Sequence, residues 1–105
     1  MEFSNRDWKL FRERLPEWQE AYIDRLNQEY IGILTGNGNP SDKFWELQER
    51  IHRDKQGRGV ILRLSKNNMV FDIVALINDG VIAFADIEEF SDEVKETVRY
   101  FCNKI

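Results

Sequence analysis

Apolar side chains return three or four places apart through the first third of the chain: Trp8, Phe11, Leu15, Trp18 and Tyr22, then Leu26, Tyr30 and Leu34. That spacing places them on one face of a helix. Ser4-Asn5-Arg6-Asp7 precedes the stripe as a capping-box variant, in which the Ser4 hydroxyl accepts from an amide three residues on and Asp7 reaches back. Pro16 removes a backbone donor inside the pattern, so a kink or short break is expected near Leu15. Gly32 weakens the helix end, and Gly36-Asn37-Gly38-Asn39 stops it.

Asn39-Pro40-Ser41-Asp42 opens a second helix, with Asn39 at the cap, Pro40 in the first helical position and Asp42 against the positive helix end. Its expected buried face is Phe44, Trp45, Leu47 or Gln48, and Ile51, and Gly57-Arg58-Gly59 ends it. Val60-Ile61-Leu62 followed by Leu64 has the composition of a short strand. No other segment offers a strand to pair with, so the spacing of Val60, Leu64, Phe71, Val74 or Ala75, and Asn78 is read as helix. Met69 to Ile77 is almost continuously apolar, the pattern of a helix covered on most sides. After the stop at Asn78-Asp79-Gly80 come a short helix around Phe84 to Phe90 and a last helix opened by Ser91. The core stripe there is Ile87, Phe90, Val94, Val98, Phe101 and Ile105. These elements predict a single all-α domain over residues 1–105: a compact bundle of about five helices with a kinked N-terminal helix and a C-terminal helical hairpin.

Composition changes this picture little. With 105 residues, 42% hydrophobic and 32% charged, the chain supports one core and is too apolar for disorder. Its one cysteine, Cys102, cannot close an internal disulfide, and Met1-Glu2-Phe3-Ser4 does not read as a leader. The longest apolar run is too short to cross a bilayer. A cytoplasmic protein that avoids membranes is the expectation. Charge adds more. The net charge is −4, yet residues 50–66 collect Arg50, Arg53, Lys55, Arg58, Arg63 and Lys66, with His52, against Asp54 alone.

Candidate chemistry is sparse. Asn78-Asp79-Gly80-Val81-Ile82 leading to Asp86 has the outline of the second half of an EF-hand. The positions that should supply the earlier oxygen ligands are Ile77 and Ala75, so an EF-hand-like but metal-free turn is expected. Glu49-Arg50-Ile51-His52 has the Glu-x-x-His spacing of di-metal bundles, but His52 is the sole histidine and the motif must occur twice. Glu13, Glu17, Glu20 and Asp24 are then a solvated face. Cys102 lies among apolar neighbours with no base near in sequence, and Ser65 has only His52 as a partner. Gly36-Asn37-Gly38 lacks the Lys-Ser/Thr of a phosphate loop. No catalytic residue, metal or cofactor is assigned. The basic turn is the better lead: Arg50, Arg53, Lys55, Arg58, Arg63 and Lys66 would gather positive charge where two helix ends meet. Aromatics left over from the core, among Trp8, Trp18, Trp45, Tyr22 and Tyr30, would extend that surface.

Ser41-Asp42-Lys43-Phe44-Trp45-Glu46-Leu47 and Ala75-Leu76-Ile77-Asn78-Asp79-Gly80-Val81-Ile82, with Asp86-Ile87-Glu88-Glu89-Phe90-Ser91, resemble a set of small uncharacterised bacterial proteins of Firmicutes type. The resemblance covers most of the chain. It implies a bacterial cytoplasmic protein and carries no activity or functional residue with it. The transporter label that similar sequences sometimes bear conflicts with the short apolar runs here. The sequence therefore points to a non-catalytic module that docks on another protein or on itself through the basic turn and exposed aromatics. A nucleic-acid-binding regulator using the same cations is the alternative.

Overall fold

The computed structural model describes residues 3–102. Four α-helices fill most of that span: α1 (Asn5–Thr35), α2 (Pro40–Asp54), α3 (Met69–Asn78) and α4 (Asp92–Phe101). Single 3-10 turns, Lys66–Asn68 and Phe84–Ile87, precede α3 and α4, and no strand occurs among the described residues. The all-helical class is as the periodicity predicts. The expected count of about five helices is not reached, because the piece placed over Phe84 to Phe90 shortens to one 3-10 turn.

The 31-residue α1 sets the length of the molecule. It spans about 46 Å at the usual helical rise, and the molecule over its described residues measures 52 × 24 × 18 Å. Ser4 caps it, accepting from the Asp7 amide at 3.1 Å. The helix passes through Pro16 without a break. Pro16 and Arg12 are both exposed, so the backbone bond that the proline removes is lost on the solvent side of the helix.

The first half of α1 and the C-terminal third of the chain share one core. Phe11 and Leu15 of α1 pack with Met69, Ile73 and Leu76 of α3, with Ile87 and Phe90, and with Val94 and Val98 of α4. Helix α3 is its centre: among its residues only Phe71, Ala75 and Asn78 escape full burial. A buried carboxylate pins the two ends of the chain together. Asp7, 1% exposed, accepts from the Ser91 amide at 2.9 Å and the Ser91 hydroxyl at 2.7 Å. Ser91 in turn caps α4 through the Val94 amide at 3.3 Å. Asp7 was expected to close its own capping box, but it ties the start of α1 to the start of α4.

Three other expectations are corrected here. The helix read from Val60 onward begins only at Met69, and residues 61–65 are irregular, neither helix nor strand. The cause lies just upstream. The Val60 and Ile61 amides both donate to the Gly57 carbonyl at 3.1 Å, and Gly59 is pressed so closely on α1 that a Cβ would stand 2.6 Å from Tyr22 and Val81. The chain must then cross from one part of the molecule to the other, with Ser65 extended at φ −151°. Second, the turn after α3 takes its shape from hydrogen bonds. Gly80 adopts φ 76°, the Val81 amide returns to the Leu76 carbonyl at 2.9 Å, and Arg25 donates to the Gly80 and Val81 carbonyls. Asp86, the position that would close an EF-hand loop, accepts from the Ala83 amide at 2.7 Å instead. Third, Phe101 is 42% exposed and rests on Phe71, ring centres 5.3 Å apart. Ile105, the last member of that stripe, lies outside the described residues.

The second half of α1 leaves the core and carries α2 antiparallel beside it, forming an arm. Tyr30 donates to Asp54 at 2.7 Å and Arg50 to Glu29 at 2.7 Å across the pair. This arm explains a radius of gyration of 16.3 Å, where a compact chain of this length has about 13 Å.

Candidate functional site

The arm places the predicted basic residues in unlike surroundings. Arg50 is half-buried against α1, bonded to Glu29, 3.6 Å from Asp54 and over the Tyr30 ring at 5.7 Å. The hydrogen bond to Glu29 and the nearby acids raise its pKa further above the ordinary arginine range. Arg58 reaches the other way, its Nε 2.9 Å from Oδ1 of the buried Asp72 on α3. Burial pushes the Asp72 carboxyl up, and the Arg58 hydrogen bond and charge offset only part of that. Arg53 keeps one exposed pair with Asp54 at 3.2 Å, and Lys66 donates to Asn5 at 2.6 Å. Lys55 and Arg63 are exposed and make no ion pair among the described residues. The cluster is thus divided: two arginines hold elements together, and Arg53, Lys55, Arg63 and Lys66 remain on the surface.

The aromatic residues are divided as well. Trp8, Trp18 and Tyr22 pack at the edge of the core, and Tyr30 lies between the arm helices. Trp45 does not join them. It is 60% exposed, as is Phe44, and the two rings meet edge to face with centres 4.9 Å apart. Ile51 is 42% exposed and no residue of α2 is fully buried. The buried face read for α2 from spacing is therefore a surface. The physical reason is local: α2 packs chiefly on α1, and a single neighbouring helix covers only one side.

On the exposed side of the arm the apolar groups form a continuous face. Phe44, Leu47, Ile51 and Lys55 line a shallow groove along α2. It continues between the helices, where Ile23, Asn27 and Tyr30 of α1 meet Ile51 and Lys55. Ile31 and Leu34, each about half exposed, extend it toward the tip. A second apolar patch, Phe71 with Tyr100 and Phe101, lies on the compact half.

Groups that would carry chemistry are apart. His52 meets Gln56, ring nitrogen to amide 3.2 Å. The Cys102 thiol is buried and donates to Asn78 at 3.3 Å. Among the described residues no three His, Cys, Asp or Glu side chains converge as a metal site, and no helix is long and apolar enough to cross a membrane. Comparison with protein-family models, with curated proteins and with solved structures finds no match.

Spacing alone reads Phe44, Trp45 and Ile51 as the buried face of α2 and so hides the arm face as a site, although Trp45 is among the aromatics that could be left over. The signal was present: Phe44, Trp45, Leu47 and Ile51 sit in a helix whose remaining positions after Pro40 are polar, next to a glycine-rich turn that commits it to a two-helix hairpin.

Proposed function

We propose that this chain is a non-catalytic interaction module that docks a protein partner on the apolar face of its arm. The observation that carries this reading is α2 itself, an amphipathic helix with its large side chains, Phe44, Trp45 and Ile51, left to solvent. Exposed apolar faces rimmed by polar groups are the usual signature of protein interfaces, with aromatics the best anchors. Arg53 and Lys55 stand at the base of the arm, and with Arg63 they would steer the acidic groups of a partner surface toward it. The bacterial, cytoplasmic setting belongs to the same proposal. A nucleic-acid regulator is the weaker reading, since Arg50 and Arg58 are already committed to Glu29 and Asp72.

The test is retention of host proteins on the immobilised wild-type chain and on the doubly substituted Phe44→Glu, Ile51→Glu chain. Both positions are exposed, so the variant should keep its circular dichroism and melting curve. A protein retained by the wild type and lost by the variant supports the reading. Equal retention by both chains, or tight binding of mixed DNA that weakens steeply with salt, would overturn it.

A further inference from the structure

The arm face has the properties of a surface that pairs with its own copy. We infer that two copies associate face to face through their arms, α1 of each lying over α2 of the other, to make a four-helix bundle; this rests on the interaction-module reading above.

Area is the first argument. Phe44, Trp45 and Ile51 of α2, with Ile31 and Leu34 of α1, are each between 42% and 60% exposed. Together they present roughly 500 Å² of apolar side chain per copy, given the size of buried aromatic and aliphatic groups. Two such faces cover on the order of 1,000 Å², where specific interfaces begin, before their polar rims are counted. Phe44 and Ile51 form one row and Ile31 and Leu34 the other, with Trp45 on the flank of α2 beside Phe44, which is the pattern a bundle core needs on each of its hairpins.

Charge is the second argument, and it selects the second copy over an unrelated partner. The row of α1 that contains Asn27 and Ile31 continues toward the base of the arm as Asp24 and Glu20, at helical spacings of three and four. The facing row of α2 ends at the same level in Lys55. One helix of the face therefore ends in acid and the other in base. A two-fold axis running along the arm exchanges left for right, so α1 of one copy lies over α2 of the other with both arms pointing the same way. Leu34 then meets Phe44 of the second copy, and Asp24 meets its Lys55. Because the contact is isologous, each pairing occurs twice. A surface selected for a basic or an acidic partner would carry one sign.

Sedimentation analysis of the full chain, from about 1 µM to about 1 mM to span ordinary dimer affinities, tests the inference. A concentration-dependent dimer is expected, and Phe44→Glu with Ile51→Glu should leave a folded monomer. Asp24→Lys and Lys55→Glu should each weaken the dimer by about tenfold or more through like charges placed opposite one another twice. An equimolar mixture of these two variants should regain the wild-type affinity, because every Asp24–Lys55 contact between the chains is then of opposite sign. Rescue in a mixture cannot come from contacts within one chain. A wild-type chain that stays monomeric throughout, a dimer that survives the double glutamate substitution, or a mixture no tighter than its components would each overturn the inference. A monomer that still retains a host protein through the same face refutes self-pairing alone, whereas a monomer whose arm variant retains everything the wild type does refutes the interaction reading too.

Discussion

At the scale of single residues, two positions hold the compact half together for reasons that neighbouring sequence hides. Asp7 is the first. Burial acts to raise its carboxyl pKa, but hydrogen bonds from the Ser91 amide, the Ser91 hydroxyl and the Ser4 hydroxyl, together with the Arg6 charge, outweigh it and hold the group below the ordinary 3.8. A depressed carboxyl contributes stability that is fully present above the unfolded value and is lost as pH falls through the folded one. Acid titration below about pH 4 should therefore remove its contribution, and Asp7→Ala should flatten that limb. The substitution should also lower stability by about 1–3 kcal/mol at neutral pH, since it leaves the part-buried Ser91 amide and hydroxyl without their acceptor. Denaturant melts of both chains across pH check both statements. Asp72 works in the opposite sense: its raised carboxyl costs stability once ionised, and that cost disappears toward acid. Gly59 is the second position. Its Cβ would stand 2.6 Å from both the Tyr22 ring and Val81, so Gly59→Ala should cost about 1–3 kcal/mol by overpacking, read as a lowered melting midpoint.

Among elements, the contrast is between α3 and α2. Helix α3 is buried almost all round, and α2 has no fully buried residue. Side-chain packing supplies most of a helix's stability, so α2 amides should exchange with deuterium well before those of α3. Pairing of arms should slow α2 selectively as protein concentration rises. The arm is held on its inner side by Tyr30, whose phenol is pushed up to about 12, first by burial and then by its bond to Asp54. The phenol contributes stability that is present below its unfolded value near 10 and is lost as pH rises toward 12. Tyr30→Phe should loosen the arm by about 1 kcal/mol, the net value of one hydrogen bond, and remove the last-titrating tyrosine from the ultraviolet absorbance curve.

At the level of the whole molecule, an elongated shape follows from a helix that outruns its own core. The core fills only the first half of α1, so Ile73→Ala, at a fully buried site, should lower stability by about 2–5 kcal/mol. Phe44→Glu should leave the melting midpoint of the dilute chain nearly unchanged. At high concentration the wild type should melt at a higher temperature than it does when dilute, because assembly stabilises the folded state by mass action. The arm variant should lose that dependence.

Local chemistry determined much of this by itself. The stripe from Trp8 to Tyr30, the cap at Ser4, the stops at Gly36 and Gly80 and the apolar run of α3 each follow from spacing or from backbone preference within a few residues. What sequence could not supply was which neighbour each face would find. Phe44, Trp45 and Ile51 have the spacing of a core and became a surface, because among the described residues α2 packs chiefly on α1. Arg50 and Arg58 have the look of a free basic patch, yet Glu29 and Asp72, 21 and 14 positions away, take them up. Asp7 meets Ser91 across 84 positions. Periodicity records which side of a helix avoids water; only tertiary packing decides whether the same chain covers it.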